Sequence, residues 1–138
     1  MLSTLQHRIN QHQLLSQLRL KLLRLHKLLL DTERVTYEQV RGQVSRGELL
    51  QLVISHDQFA WLYPLSALIL RIDELLHADE PVTSEAIATL IIDVHTLLTP
   101  DALGEGFAIK YDATFQRNPD VVLAHADVVT LLAAKVQR

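Results

Sequence analysis

The sequence contains no cysteine, and it has only four glycines and four prolines. Without cysteine the chain cannot form a disulfide framework, a thiolate nucleophile or a Cys-ligated zinc site, which excludes several classes of enzyme. Neither glycine-rich phosphate-binding pattern occurs, and no serine lies in a Gly-x-Ser-x-Gly elbow. The chain also lacks a run of about 18 or more apolar residues and a cleavable signal pattern. We therefore expect a soluble, cytoplasmic protein without a membrane span.

Strand signals are also missing, because no alternating apolar run is bounded by tight-turn dipeptides. Apolar residues instead recur at helical spacing along the chain. Of the 138 residues, 49% are apolar, which is enough to form one core. We predict a single all-α domain over residues 1–138, a bundle of four main helices with additional short helices.

Several helix starts can be predicted from capping residues. Three of them combine a serine with Glu or Gln three residues later, a pair that can cap two backbone N–H groups reciprocally. They are Ser3 with Gln6, Ser45 with Glu48, and Ser55 with Gln58. Thr83 is a predicted cap for a helix that ends near Leu98, and Asn118 is the predicted cap of a last helix whose first residue is Pro119. A short helix before Asn118 presents Phe107, Tyr111 and Phe115.

Pro64 lies within what the spacing predicts as the second long helix. If Ser55 caps this helix, Pro64 lies two turns inside it, and the carbonyl of Ala60 loses its usual N–H partner. We then expect a kink at Pro64 with one apolar face on both sides of it. The alternative is a new helix that starts at Pro64, although Tyr63 would be a poor cap. The predicted apolar face comprises Trp61, Leu65, Leu68, Ile69, Ile72, Leu75 and Leu76.

The first helix, from Thr4 to about Arg41, is predicted to be long and unusually rich in leucine. A regular seam is formed by Leu15, Leu18, Leu22, Leu25 and Leu29. Leu20, Leu23 and Leu30 lie off this seam, so the helix needs a second surface to pack against. A helix of this length would also break or project beyond its own bundle. We predict that Leu20, Leu23 and Leu30 mediate self-association as a homodimer.

Charge is distributed unevenly between the two ends of the chain. Residues 1–46 contain eight Lys or Arg against three acids, whereas the remainder contains five against thirteen. Arg19, Lys21, Arg24 and Lys27 form a candidate surface for nucleic acid or an acidic partner. The simpler interpretation is that this basic helix packs beside acidic helices, in its own fold or in a second copy.

Two groups of side chains are candidates for a ligand site. Phe59, Trp61 and Tyr63 could line a pocket beside Pro64, although such rings more often belong to a core. His125 lies among Val121, Val122, Val128, Val129 and Leu132 near the centre of an apolar face of the last helix. The predicted core-facing residues of that helix are Val122, Val129, Leu132 and Val136, beside Ala126 and Ala133. A buried imidazole needs hydrogen-bond partners, and its role is structural, catalytic or pH-sensing.

The histidines do not form a convincing metal site. One Glu-x-x-His spacing, Glu74 to His77, is of the kind used in di-iron bundles, but no second copy occurs. These two residues also lie opposite the apolar face of their helix. We predict no metal and no cofactor.

Residues 59–69, "FAWLYPLSALI", followed by Arg71-Ile72-Asp73-Glu74, resemble a segment of small uncharacterised bacterial all-helical proteins. The similarity extends to Leu25-His26-Lys27 and to residues 120–125. The resemblance implies a bacterial cytosolic origin. No activity and no catalytic residue is carried over from that group.

These observations favour a non-catalytic protein that acts through self-association or partner binding. Two alternatives remain open. One is binding of nucleic acid or an acidic partner by the basic first helix, and the other is a metal-dependent or small-ligand-dependent enzyme.

Overall fold

The computed structural model describes residues 2–101 and 103–136, and within them it contains helices and no strand. The all-α prediction is therefore confirmed. The elements are α1 (Leu2–Arg41), α2 (Arg46–Ser55), a 3₁₀ helix (Asp57–Leu62), α3 (Tyr63–His77), α4 (Ser84–Leu97), α5 (Phe107–Arg117) and α6 (Pro119–Val136). None of these helices has both the length and the apolar content that crossing a membrane requires.

α1 is one unbroken helix of 40 residues, about 60 Å long at 1.5 Å per residue. It contains neither proline nor glycine, so nothing in its sequence interrupts the hydrogen-bond ladder. It ends at Gly42, whose φ of 84° favours glycine and whose N–H donates to the carbonyl of Glu38 at 2.9 Å. The predicted long first helix is confirmed.

The leucine seam of α1 forms the centre of the core. All five predicted seam residues are 0% exposed: Leu15, Leu18, Leu22, Leu25 and Leu29. They lie against α3 and α6, which both pack along α1, and α4 packs against α3. Residues 4–10, by contrast, are all exposed. The first turns of α1 are therefore covered only lightly, by the start of α4, where His7 Nε2 lies 3.4 Å from the Ser84 hydroxyl oxygen.

After α1, one predicted helix cap is confirmed and another is wrong. The Ser45 hydroxyl accepts from the Glu48 N–H at 3.2 Å and caps α2 as predicted. Ser55 does not start a helix, because it is the last residue of α2 and its hydroxyl donates to the Gln51 carbonyl at 2.7 Å. The side chain of Ser3, the third predicted cap, lies outside the described residues.

The structure does not confirm the kinked helix through Pro64. The residues before it form the 3₁₀ helix, which His56 caps by accepting the Gln58 N–H at Nδ1, and Pro64 lies in the first turn of α3. The Ala60 carbonyl accepts from Tyr63 N–H, so it is not left without a partner. Proline is tolerated in a first turn because its missing N–H has no intrahelical partner there.

The later helices begin at the predicted caps. Thr83 accepts from the Ala86 N–H at 3.1 Å, and Asn118 accepts from the Asp120 N–H at 3.0 Å. The predicted apolar face of α6 is wrong in its orientation. Of the residues assigned to it whose side chains are described, Leu132 is buried, Val129 is half-buried, and Val122, Ala126 and Ala133 are exposed. The buried face instead consists of Val121, Ala124, Val128 and Leu132.

Candidate functional site

The side of α1 away from the core carries exposed apolar residues. At 3.6 residues per turn, Leu5, Ile9 and Leu20 project roughly opposite the buried leucine seam. Their exposed fractions are 55%, 41% and 63% respectively. We call these three residues the outer face of α1. Leu23 and Leu30 are half-buried and pack against the core, so of the three predicted self-association residues only Leu20 is mostly exposed.

The four basic residues of α1 are divided between ion pairs and solvent. Arg19 pairs with Asp73 of α3, and the Arg24 guanidinium lies 3.6 Å from the Asp127 carboxylate of α6. Lys27 is exposed, Lys21 is half-buried, and neither makes an ion pair with a described residue. Two of the four charges are thus used to hold α1 against its acidic neighbours. This agrees with the simpler of the two interpretations of the charge asymmetry.

The aromatic residues around Pro64 have separate environments. Phe59 is buried beside Tyr37, with ring centroids 6.0 Å apart. Trp61 packs against Phe107 at 5.3 Å, whereas Tyr63 is 72% exposed. The structure therefore distributes the three predicted pocket aromatics between core and surface.

The Trp61 indole is fixed by a carboxylate that sequence reasoning did not single out. Its Nε1–H donates to Glu33 Oε1 at 2.8 Å. The side-chain amide of Gln58 donates to the other oxygen, Oε2, at 3.0 Å. Both oxygens of Glu33 therefore accept hydrogen bonds, which ties the 3₁₀ helix to α1.

His125 makes the polar contact that a half-buried imidazole needs. The Tyr111 hydroxyl lies 2.7 Å from His125 Nδ1, and the His125 ring meets Phe115 edge-on at 5.2 Å. Burial raises the pKa of the Tyr111 phenol, so this group stays protonated and donates. Burial, and then repulsion from His95, lowers the pKa of His125, so the neutral ring accepts. Tyr111 and His125 are therefore both uncharged in this hydrogen bond.

A second histidine is also held neutral inside the fold. His26 Nε2 lies 2.9 Å from the Ser66 hydroxyl, which connects α1 to α3. Burial lowers the pKa of His26 below its ordinary value of 6.5. This residue did not emerge as a site candidate from the sequence because it lies beside the leucine seam.

Acidification should destabilise the protein through His26 and His125. Both have a lower pKa in the folded chain than the ordinary 6.5. Below that value the unfolded chain binds more protons, so stability present at neutral pH is lost as the pH falls toward the folded-state pKa values. We expect the urea midpoint to drop as the pH falls below about 6.5, with little change above about pH 7.5 from these two groups.

A histidine-specific variant separates this effect from general acid denaturation. In His125→Asn the side-chain oxygen can still accept from Tyr111, but the group cannot titrate, so the pH slope should become shallower. His12 is exposed, and His12→Asn controls for the removal of a histidine. Slopes that are equal in the wild type and in His125→Asn would contradict the assignment.

Metal-binding geometry is not found in the part of the chain that the structure describes. No group of three or more His, Asp or Glu side chains is placed there to hold an ion. His77 of the Glu-x-x-His spacing is exposed, and its Nδ1 lies 2.8 Å from the Asp73 carbonyl oxygen.

No family model, curated protein or solved structure matches this chain. The resemblance of residues 59–69 to small bacterial helical proteins therefore stays a prediction. Any function has to be argued from the surfaces described above.

Proposed function

We propose that the chain is a non-catalytic cytoplasmic protein that acts through self-association as a homodimer. In this proposal α1, α3, α4 and α6 are the main helices of a bundle, and the outer face of α1 is the dimer contact. The observation that supports it most directly is the 63% exposure of Leu20 at the middle of a helix whose opposite side is fully buried. A partner that covers this apolar surface removes it from water, which favours association.

The spacing of the outer face favours an antiparallel pairing of two α1 helices. Leu5 and Leu20 are fifteen residues apart, or about 22 Å along the axis. Around a two-fold axis between residues 12 and 13, Leu5 of each copy would face Leu20 of the other. Ile9 would then face Ser16, whose small side chain permits close approach. The exposed first turns of α1 would be covered by the partner in this arrangement.

Light scattering at micromolar concentration tests the dimer. The expected mass is about twice the 15.7 kDa of one chain. Leu20→Glu should weaken association by about tenfold or more, because the symmetric contact receives the new charge twice. Leu50→Glu is the matched control, since Leu50 is a 59% exposed leucine on α2. A wild-type mass of 15.7 kDa, or equal effects of the two variants, would refute the proposal.

The absence of native cysteine permits a clean test of helix orientation. In the antiparallel dimer, His12→Cys lies next to the two-fold axis and should form an intermolecular disulfide under mild oxidation. Leu5→Cys should not, because its counterpart is about 22 Å away along the helix axis. Efficient cross-linking of Leu5→Cys would instead indicate parallel helices.

A further inference from the structure

A cleft lies where the C-terminal half of α1, the 3₁₀ helix and α5 meet. Its volume is about 500 Å³, within the range of small-molecule sites. Thr36 and Tyr37 of α1 form one wall of the cleft, and His56, which lies between α2 and the 3₁₀ helix, forms another part of its lining. The Tyr37 hydroxyl makes no hydrogen bond to another described residue, so it is available to a ligand. The cleft is therefore both large enough and polar enough to hold a small molecule.

Positive charge is concentrated around this cleft. Arg41 at the end of α1 and Lys110 and Arg117 on α5 all line it. None of these three makes an ion pair with a described residue. All three are exposed, so the cleft presents positive charge to solvent in a chain whose net charge is −3.

The acid in the cleft forms no ion pair with these cations. Glu33 is the only Asp or Glu among the lining residues, and its two oxygens accept from Trp61 and Gln58. It therefore serves mainly as an internal hydrogen-bond acceptor. The three cations and one carboxylate that line the cleft sum to a formal charge of +2. A ligand of matching charge therefore carries at least two negative charges.

We propose that this cleft binds a small organic oxyanion with two or more negative charges, of the phosphate-ester or polycarboxylate type. Guanidinium groups donate two parallel hydrogen bonds to either kind of oxyanion, and the ammonium group of Lys110 adds a point charge. A cleft of this volume suits a molecule of metabolite size, whereas a nucleic-acid strand needs an extended basic track. On α1 such a track is interrupted, because Arg19 and Arg24 pair with carboxylates.

Calorimetric titration with pyrophosphate and with citrate at about 0.15 M ionic strength tests the proposal. Saturable binding of at least one probe is expected, and which of the two binds more tightly distinguishes phosphate from carboxylate chemistry. Lys110→Gln and Arg117→Gln should each weaken binding by about three- to tenfold. Glu33→Gln keeps an acceptor for Trp61 and removes the negative charge, so it should strengthen binding.

The matched control is Arg46→Gln, because Arg46 is exposed on α2 and does not line the cleft. It removes the same unit of charge and should change affinity by less than about twofold, since an exposed charge that does not contact the ligand is screened over about 8 Å at this ionic strength. If Arg46→Gln and Arg117→Gln lost the same affinity for the probe, net charge alone would explain the loss, and the proposal would be overturned. Absence of saturable binding by either probe would overturn it too, as would exclusive binding of a polyglutamate peptide.

The cleft and the dimer contact can be tested independently. The cleft lies at the opposite end of α1 from Leu5, and it does not include Leu20. We therefore expect Leu20→Glu to bind the preferred probe as tightly as the wild type does. A loss of binding in this variant would contradict a site contained within one chain.

Discussion

Leu65→Ala should lower the free energy of unfolding by about 2–5 kcal/mol. Leu65 is 0% exposed on α3, where it packs in the core with the leucine seam of α1. The substitution removes apolar surface that is fully out of water and leaves a cavity that the two helices can only partly fill. Chemical denaturation followed by the helical circular dichroism signal measures the loss.

Leu70→Ala is the control for this substitution. Leu70 lies on the same helix and is 59% exposed, so the change in helix propensity is the same while the change in burial differs. We expect its effect to stay within about 0.5 kcal/mol. Comparable losses for the two variants would show that the core does not lie on the Leu65 side of α3.

The core of α1 could be predicted from sequence because its signal is periodic. Leucines at steps of three and four define one side of a helix without reference to any neighbour. The off-seam leucines show the limit of this reasoning. Leu20 is exposed whereas Leu23 and Leu30 are half-buried, and the difference depends on which helices lie beside each turn of α1.

The region before Pro64 was mispredicted because of its cap. Ser55 fits the capping rule, but the structure uses the ring nitrogen of His56 instead. Histidine is not among the preferred cap residues, so local sequence favours the wrong start. With the 3₁₀ helix in place, Tyr63 N–H satisfies the Ala60 carbonyl, and no kink is needed to accommodate the proline.

The orientation of α6 illustrates a different limit. This helix is apolar over much of its circumference, so two overlapping faces fit the same spacing. Ala124 belongs to the buried face and is 1% exposed, which lets α6 approach α1 closely. Alanine contributes little to a hydrophobic pattern, although a close contact between two helices requires a small residue.

The cationic cleft could not be predicted from local spacing. Arg41 and Arg117 are separated by most of the chain, and no motif connects them. The cleft exists because α5 lies beside the 3₁₀ helix and the C-terminal part of α1. The Glu33–Trp61 hydrogen bond joins the 3₁₀ helix to α1, and Trp61 packs against Phe107 of α5, so these two contacts bring the cations of α1 and α5 to one surface.

Tyr111→Ala should lower the free energy of unfolding by about 3–5 kcal/mol. Tyr111 is 0% exposed, its ring stacks on Phe107 at 5.3 Å, and it also meets Phe115 at 6.2 Å. Phe107 and Phe115 lie on the same helix, so removing the ring takes away the middle of the aromatic row through which α5 packs on the core and leaves a cavity there. Tyr111→Phe keeps the ring and should lower stability by only about 1–2 kcal/mol, because His125 Nδ1 then loses its donor.

Two comparisons make this prediction specific to the hydrogen bond. Tyr63→Phe removes the same hydroxyl from a residue that is 72% exposed, and its effect should stay within about 0.5 kcal/mol. In a double-mutant cycle, Tyr111→Phe should have a smaller effect when His125→Ala is already present, since no nitrogen is left to satisfy. An undiminished effect in that background would assign the loss to contacts of the Tyr111 hydroxyl other than the one with His125, and the neutral Tyr111–His125 pair would not contribute to stability.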